Sequence, residues 1–209
     1  MIRTGISLCL CLLLTGCSFL GFGRLTSEAP HISGKPIVYI YPMSDVYKQA
    51  STGVMAFQVP SNMNSEQGVA VATLFKDVLL GKRAYKRVRL LPKQYSDLQD
   101  ALEAGKKAKV DLVVAGSVNY AMAGTELGGA RVDVSVRVMN VRTGNTVWHM
   151  GQTMDQPLRY PDTGLVDRLV DALNPSEIKK PQGAPAVPNM LAQIASDMAD
   201  VMGAPPVGM

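Results

Sequence analysis

The sequence predicts an α/β protein: a mixed sheet of five or six strands with packing helices, followed by a C-terminal helical tail. Three observations carry this. Short β-branched and aromatic runs bounded by Pro or Gly recur at residues 37–41, 53–57 and 110–116. Between them, two stretches place apolar residues at helical spacing. One strand then alternates cleanly, Val132, Val134, Val136 and Val138 against Arg131, Asp133, Ser135 and Arg137. Hydrophobic residues make up 47% of the 209, enough for a core that covers such a sheet.

In chain order, residues 1–16 read as a secretory signal. Arg3 is its only charged side chain, and Ile6 to Leu14 is apolar but for Ser7. That run is about ten residues, whereas a spanning helix needs about 20. Leu14-Thr15-Gly16-Cys17 closes it. These four residues resemble the bacterial lipobox, which implies a lipid on the Cys17 thiol and cleavage before it. Cys9 and Cys11 fall inside the signal, so the mature chain holds no disulfide and no thiolate metal site. Ser18 resembles an outer-membrane sorting residue. Residues 17–35, rich in Ser, Gly, Pro and Thr, form a tether.

The folded domain is expected over residues 36–174. Ile37 to Tyr41, set between Pro36 and Pro42, reads as a strand at a sheet edge. A polar connection from Ser44 to Ser51 leads to a buried strand, Gly53 to Phe57. Asn62, Asn64 and Ser65 are candidate caps for a helix on Val69, Ala72, Leu74, Phe75, Val78 and Leu79, which Gly81 ends. Ala84 to Leu91 reads as a half-buried strand, and Tyr95 to Lys107 as an exposed helix with basic residues in its last turn. Val110 to Gly116 is a central strand extending through Val118 and Tyr120 toward a Gly-rich loop. The alternating strand slips at Asn140-Val141, and Thr143-Gly144-Asn145 turns it back through Trp148 to Met154. Leu165, Val166, Leu169, Val170 and Leu173 suit a short helix. Residues 175–209 comprise a Pro-rich linker, Pro175 to Pro188, and an amphipathic helix over Met190, Leu191, Ile194, Met198, Val201 and Met202.

Net charge is +4 on 21 basic and 17 acidic residues, interspersed, which is too mild for a nucleic-acid partner. His31 and His149 are the only histidines and lie far apart, so neither a His triad nor a metal cluster is expected. No catalytic residue, metal site or cofactor is assigned beyond the covalent lipid. Lys82, Arg83, Lys86, Arg87 and Arg89 form a basic cluster. It is either a solvated face or a contact with anionic lipid, polysaccharide or peptidoglycan. Trp148 is either a packed hairpin anchor or a contact residue. The terminal helix, isolated behind a Pro-rich linker, is expected to place Met190, Leu191, Ile194, Met198 and Met202 against another subunit or a partner rather than on its own domain.

The order of strand 53–57, a helix entered near Gly68, strands 85–91 and 110–118, and the Val132 to Trp148 hairpin is similar to a known family. It resembles the α/β domain shared by the amino-terminal part of TolB, the curli-export lipoproteins and related envelope lipoproteins. Those relatives include activators of peptidoglycan synthases and an exopolysaccharide-export ring lipoprotein. The resemblance spans residues 51–155. It implies a non-enzymatic, lipid-anchored accessory protein of the outer membrane, facing the periplasm, with protein partners or self-association. An all-valine face opposite Arg131, Asp133 and Arg137 does not suit a lipid-facing barrel strand. The rival expectation is a periplasmic glycan-acting enzyme using Asp or Glu.

Overall fold

A computed structural model describes residues 32–125, 129–156 and 187–204. Seven strands appear among these residues: β1 (Ile32–Ser33), β2 (Ile37–Ile40), β3 (Ser51–Met55), β4 (Arg87–Leu91), β5 (Leu112–Met122), β6 (Arg131–Asn140) and β7 (Thr146–Asp155). Both β1 and β2 lie along the same edge of β7, so the sheet is six strands wide in the order β1/β2, β7, β6, β5, β3, β4. β4, β3 and β5 run parallel, and the other pairs are antiparallel. The mixed sheet expected from the sequence is therefore present. Ile37 to Ile40 does form an edge strand, and β5 is central.

Helix α1 (Ser65–Gly81) links β3 to β4, and α2 (Leu98–Lys107) links β4 to β5. The two lie on opposite faces because side chains alternate along β3. Val54 packs with Phe57, Phe75 and Leu79 on the α1 side, while Met55 packs with Ala101, Leu102, Val113 and Ala115 on the α2 side. Three layers result. Asn64 starts α1 with a reciprocal capping box: its Oδ1 accepts from Gln67 N–H at 2.9 Å, and Gln67 Oε1 accepts from Asn64 N–H at 2.8 Å. Asp97 caps α2, accepting from Asp100 N–H at 2.8 Å. α1 ends at Gly81, as expected, but Gly81 is not the left-handed residue. The chain turns one residue past the Lys82 cap, at Arg83, whose φ is +54°. Ala84 N–H returns to Leu79 O at 3.0 Å and Arg83 N–H to Leu80 O at 3.1 Å. Lys109, at φ +53°, closes α2 in the same way.

The terminal helix α3 (Val187–Gly203) corrects the expectation of an external interface. Met190, Leu191, Ile194, Met198 and Met202 are 0–4% exposed, packed in one cluster with α1, the valines of β6, and Trp148, Met150 and Met154 of β7. The apolar stripe of α3 and the valine face of β6 need the same thing, removal from water, and each supplies it to the other. Gln152 on β7 donates through Nε2 to Asp197 Oδ2 on α3 and to Gly34 O, tying helix, strand and the β1–β2 connection together. Ile32 and Ser33, within the expected tether, pair with β7 instead. The short helix expected at residues 165–173 lies outside the described residues. No described helix is long and apolar enough to cross a membrane.

Candidate functional site

Three surfaces hold residues singled out by the sequence. The first is an apolar groove of about 520 Å³ where β2, the Tyr85 turn, β7 and the end of α3 meet. Its floor is Tyr85, Trp148, Val201 and Met202, and its wall is Val38, Tyr41 and Tyr47. Trp148 is 9% exposed, so it is a packed anchor whose remaining surface opens into the groove. Tyr85 is fully buried, and its hydroxyl meets only Met202 Sδ, at 3.5 Å. Burial pushes the phenol well above its ordinary range, so it stays protonated as a donor. The sequence suggested a strand from Ala84. The strand starts at Arg87, and Ala84-Tyr85 instead turns inward under α3.

The rim of this groove was missed. Residues 44–51 read as a polar connection, yet they hold a 3₁₀ turn, Asp45–Gln49, closed by a Lys48–Asp45 ion pair at 3.0 Å. Beside it Tyr41, Met43 and Val46 are 69–88% exposed, and Ile37 and Tyr39, on the face of β2 away from the groove, are each 60% exposed. The signal was available: five large apolar residues within ten positions, on an edge strand and a short turn that cannot cover them.

The second surface is the basic cluster. Lys82, Arg83, Lys86, Arg87 and Arg89 are all exposed, around the end of α1 and along β4, an edge strand. Lys82 is tied to Asp200 of α3 at 2.8 Å, a docking contact. Arg83 closes α1. Arg87 and Arg89 alternate with Val88 and Leu90, whose packing on the α1 side turns the two guanidinium groups to the α2 side.

The third surface is the part of the sheet that α2 leaves open, where Ser117, Asn119, Asp133, Ser135, Arg137, His149 and Thr153 face one way. Asp133 accepts from Asn119 Nδ2 at 2.7 Å and from Thr153 Oγ1 at 2.8 Å. Tyr95, beside it, donates its hydroxyl to Gly116 O at 2.7 Å, and burial raises this phenol to about 12.

Carboxylates in these layers serve the fold. Asp97 caps α2, Asp100 pairs with Lys93 at 2.7 Å, and Asp111 accepts from Ser51 N–H and Oγ at 2.8 and 2.7 Å. The Lys93 bond holds Asp100, and the Ser51 bonds hold Asp111, below the ordinary carboxylate range. A general acid for glycan cleavage needs the opposite displacement. Among the described residues no group of His, Cys, Asp and Glu is arranged to hold a metal.

No protein-family model and no curated protein matches this sequence. Solved structures of similar outline include the PelC dodecamer from Paraburkholderia phytofirmans. It is 16% identical, with a TM-score of 0.48 over 78% of this chain and 97% of that one. A lipoprotein from Neisseria meningitidis is 17% identical, with a TM-score of 0.41 over 59% of this chain and 94% of that one. The LpoB C-terminal domain from Escherichia coli is 12% identical, with a TM-score of 0.36 over 52% and 86%. At these identities the likeness is one of outline and assigns no residue roles.

Proposed function

We propose that this chain is a lipid-anchored, non-enzymatic accessory protein of the bacterial outer membrane, facing the periplasm. It helps assemble an envelope, secretion or surface-structure machine by holding a protein partner or a second copy of itself. The observation that carries this reading is the apolar groove and its exposed rim, placed just after the lipid tether. Patches of this kind mark contact surfaces. Support comes from the sequence: Leu14-Thr15-Gly16-Cys17 resembles a lipobox, and the order of elements over residues 51–155 resembles the TolB and curli-export domains. Arg87 and Arg89 supply a separate contact for anionic polysaccharide or peptidoglycan.

The test places a photo-crosslinking residue at Met43 or Val46, 88% and 74% exposed, in cells making the full chain. A discrete adduct is expected, lost when Tyr41→Glu is added and absent for a probe at exposed Glu103. Unchanged melting of Tyr41→Glu shows that the fold survives. Equal labelling at both probe sites, or purified protein that hydrolyses glycan strands, overturns the reading. Replacing Cys17 by Ala is expected to abolish incorporation of a fatty-acid analogue, and labelling that persists refutes the anchor.

A further inference from the structure

The uncovered polar face contains a pocket of about 320 Å³ that the accessory role does not use. It lies where the start of α2 meets β5, β6 and β7, and Ser96, Asp97, Ser117, Ser135, Arg137 and His149 line it. Arg137 is half-buried and, among the described residues, makes neither a hydrogen bond nor an ion pair. Lys48, Lys76, Lys82, Lys93 and Arg131 each face a carboxylate, and described cations without an ion pair, such as Arg83, Lys86, Arg87 and Arg89, are exposed to water, so Arg137 differs from both groups in being half-buried and unpaired. A guanidinium partly withdrawn from water without a counter-charge is costly, and an anion relieves that cost.

Its neighbours sharpen the case. His149 stands directly across from Arg137 in the β6–β7 register. Tyr39 packs on the imidazole with ring centroids 4.9 Å apart, which fixes its place. Burial, then the Arg137 charge, holds His149 below its ordinary value, so two positive charges disfavour each other here. The one carboxylate in the lining, Asp97, turns its Oδ1 to Asp100 N–H as the α2 cap. Asp133, on the same face of β6, is engaged by Asn119 and Thr153. Neither is ion-paired with Arg137. The Ser96 and Ser117 hydroxyls are short donors that can turn toward a bound oxygen, and Ser135 Oγ, which donates to Asn119 Oδ1 at 3.3 Å, can exchange that long bond for one to the ligand.

We propose that this pocket binds a small oxyanion ligand, a carboxylate or a phosphate, through the Arg137 guanidinium with the Ser96, Ser117 and Ser135 hydroxyls completing its hydrogen bonds. Arg137 is the specificity-determining residue because its planar fork matches either group with two parallel bonds.

The chain's two histidines make the test direct. Proton NMR of the full mature chain follows His31 and His149 against pH in sodium chloride, sodium phosphate and sodium acetate at equal ionic strength. A bound oxyanion is expected to raise the His149 midpoint by about one pH unit relative to chloride, leaving His31 in place. A rise in phosphate alone assigns a phosphate ligand, and one in acetate alone assigns a carboxylate. Arg137→Gln should abolish the rise, and Arg137→Lys should restore only part of it. Should Arg137→Gln fail to fold, the Lys variant and Ser135→Ala carry the test through a reduced rise. His149 midpoints that agree in all three salts, or a rise shared equally by His31, overturn the proposal.

Discussion

Arg83 and Lys109 each close a helix in the left-handed region, at φ +54° and +53°, where an L side chain is strained by about 1–2 kcal/mol. Glycine removes the strain but costs more entropy on folding. The balance predicts that Arg83→Gly or Lys109→Gly stabilises the domain by about 0.5–1 kcal/mol, read as a higher urea midpoint. Nothing in the sequence marked these two as left-handed. Gly81 correctly marks the last helical residue, but the left-handed turn that glycine usually takes falls to Arg83, where two Schellman-type bonds close the end. Asp111 lies in the run Val110 to Gly116 that reads as a strand, and its role as the clasp of Ser51 is visible only with β3 and β5 side by side. Because that carboxyl is held below its unfolded value of 3.8, its contribution is full above that value and is lost as pH falls through the folded one. Asp111→Asn should therefore flatten the acid limb of a stability-against-pH curve, and an unchanged limb would exclude the clasp.

At the scale of elements, α3 shows what a one-dimensional pattern can and cannot say. Its apolar stripe was legible at helical spacing. Its partner was not, because the valine face that receives it belongs to β6, some fifty residues earlier, and spacing carries no information about which faces meet. The prolines between 175 and 188 suggested separation, but a linker constrains distance and does not choose the docking surface. The packing predicts that Ile194→Ala or Met198→Ala costs about 2–5 kcal/mol, a large part of the 5–15 kcal/mol typical of a domain. Melting temperature should fall steeply while oligomeric mass stays constant. Loss of mass with the monomer's melting preserved would restore the interface reading. Gly68 makes a related point: a Cβ there would collide with Phe57 O, so the approach of α1 to the chain just past β3 requires its bare backbone.

At the scale of the whole molecule, the N-terminal edge walls the apolar groove and also touches His149, which lines the polar pocket. β2 presents Val38 to the groove and Tyr39 to His149 on the opposite face. Beyond its pairing with β7, little fastens this edge, since Ile37, Tyr39 and Tyr41 are mostly exposed. Protonation of His149 places a second cation beside Arg137 and under the Tyr39 ring. Since burial and that arginine hold His149 below 6.5 in the folded chain, the stability associated with it is intact above 6.5 and declines as pH falls through the folded value. The loss should be local to β2. Hydrogen exchange, corrected for its intrinsic pH dependence, is expected to show faster opening of residues 37–40 in mildly acidic buffer than at neutral pH. β5 and β6, the interior strands, should keep their protection. His149→Phe retains a ring against Tyr39 and removes the titration, so its β2 should exchange at one rate across the range. If His149→Phe opens with acid as the parent does, some other group controls the edge. If neither opens, β2 is held by its backbone pairing alone, and the groove keeps its wall across that pH range.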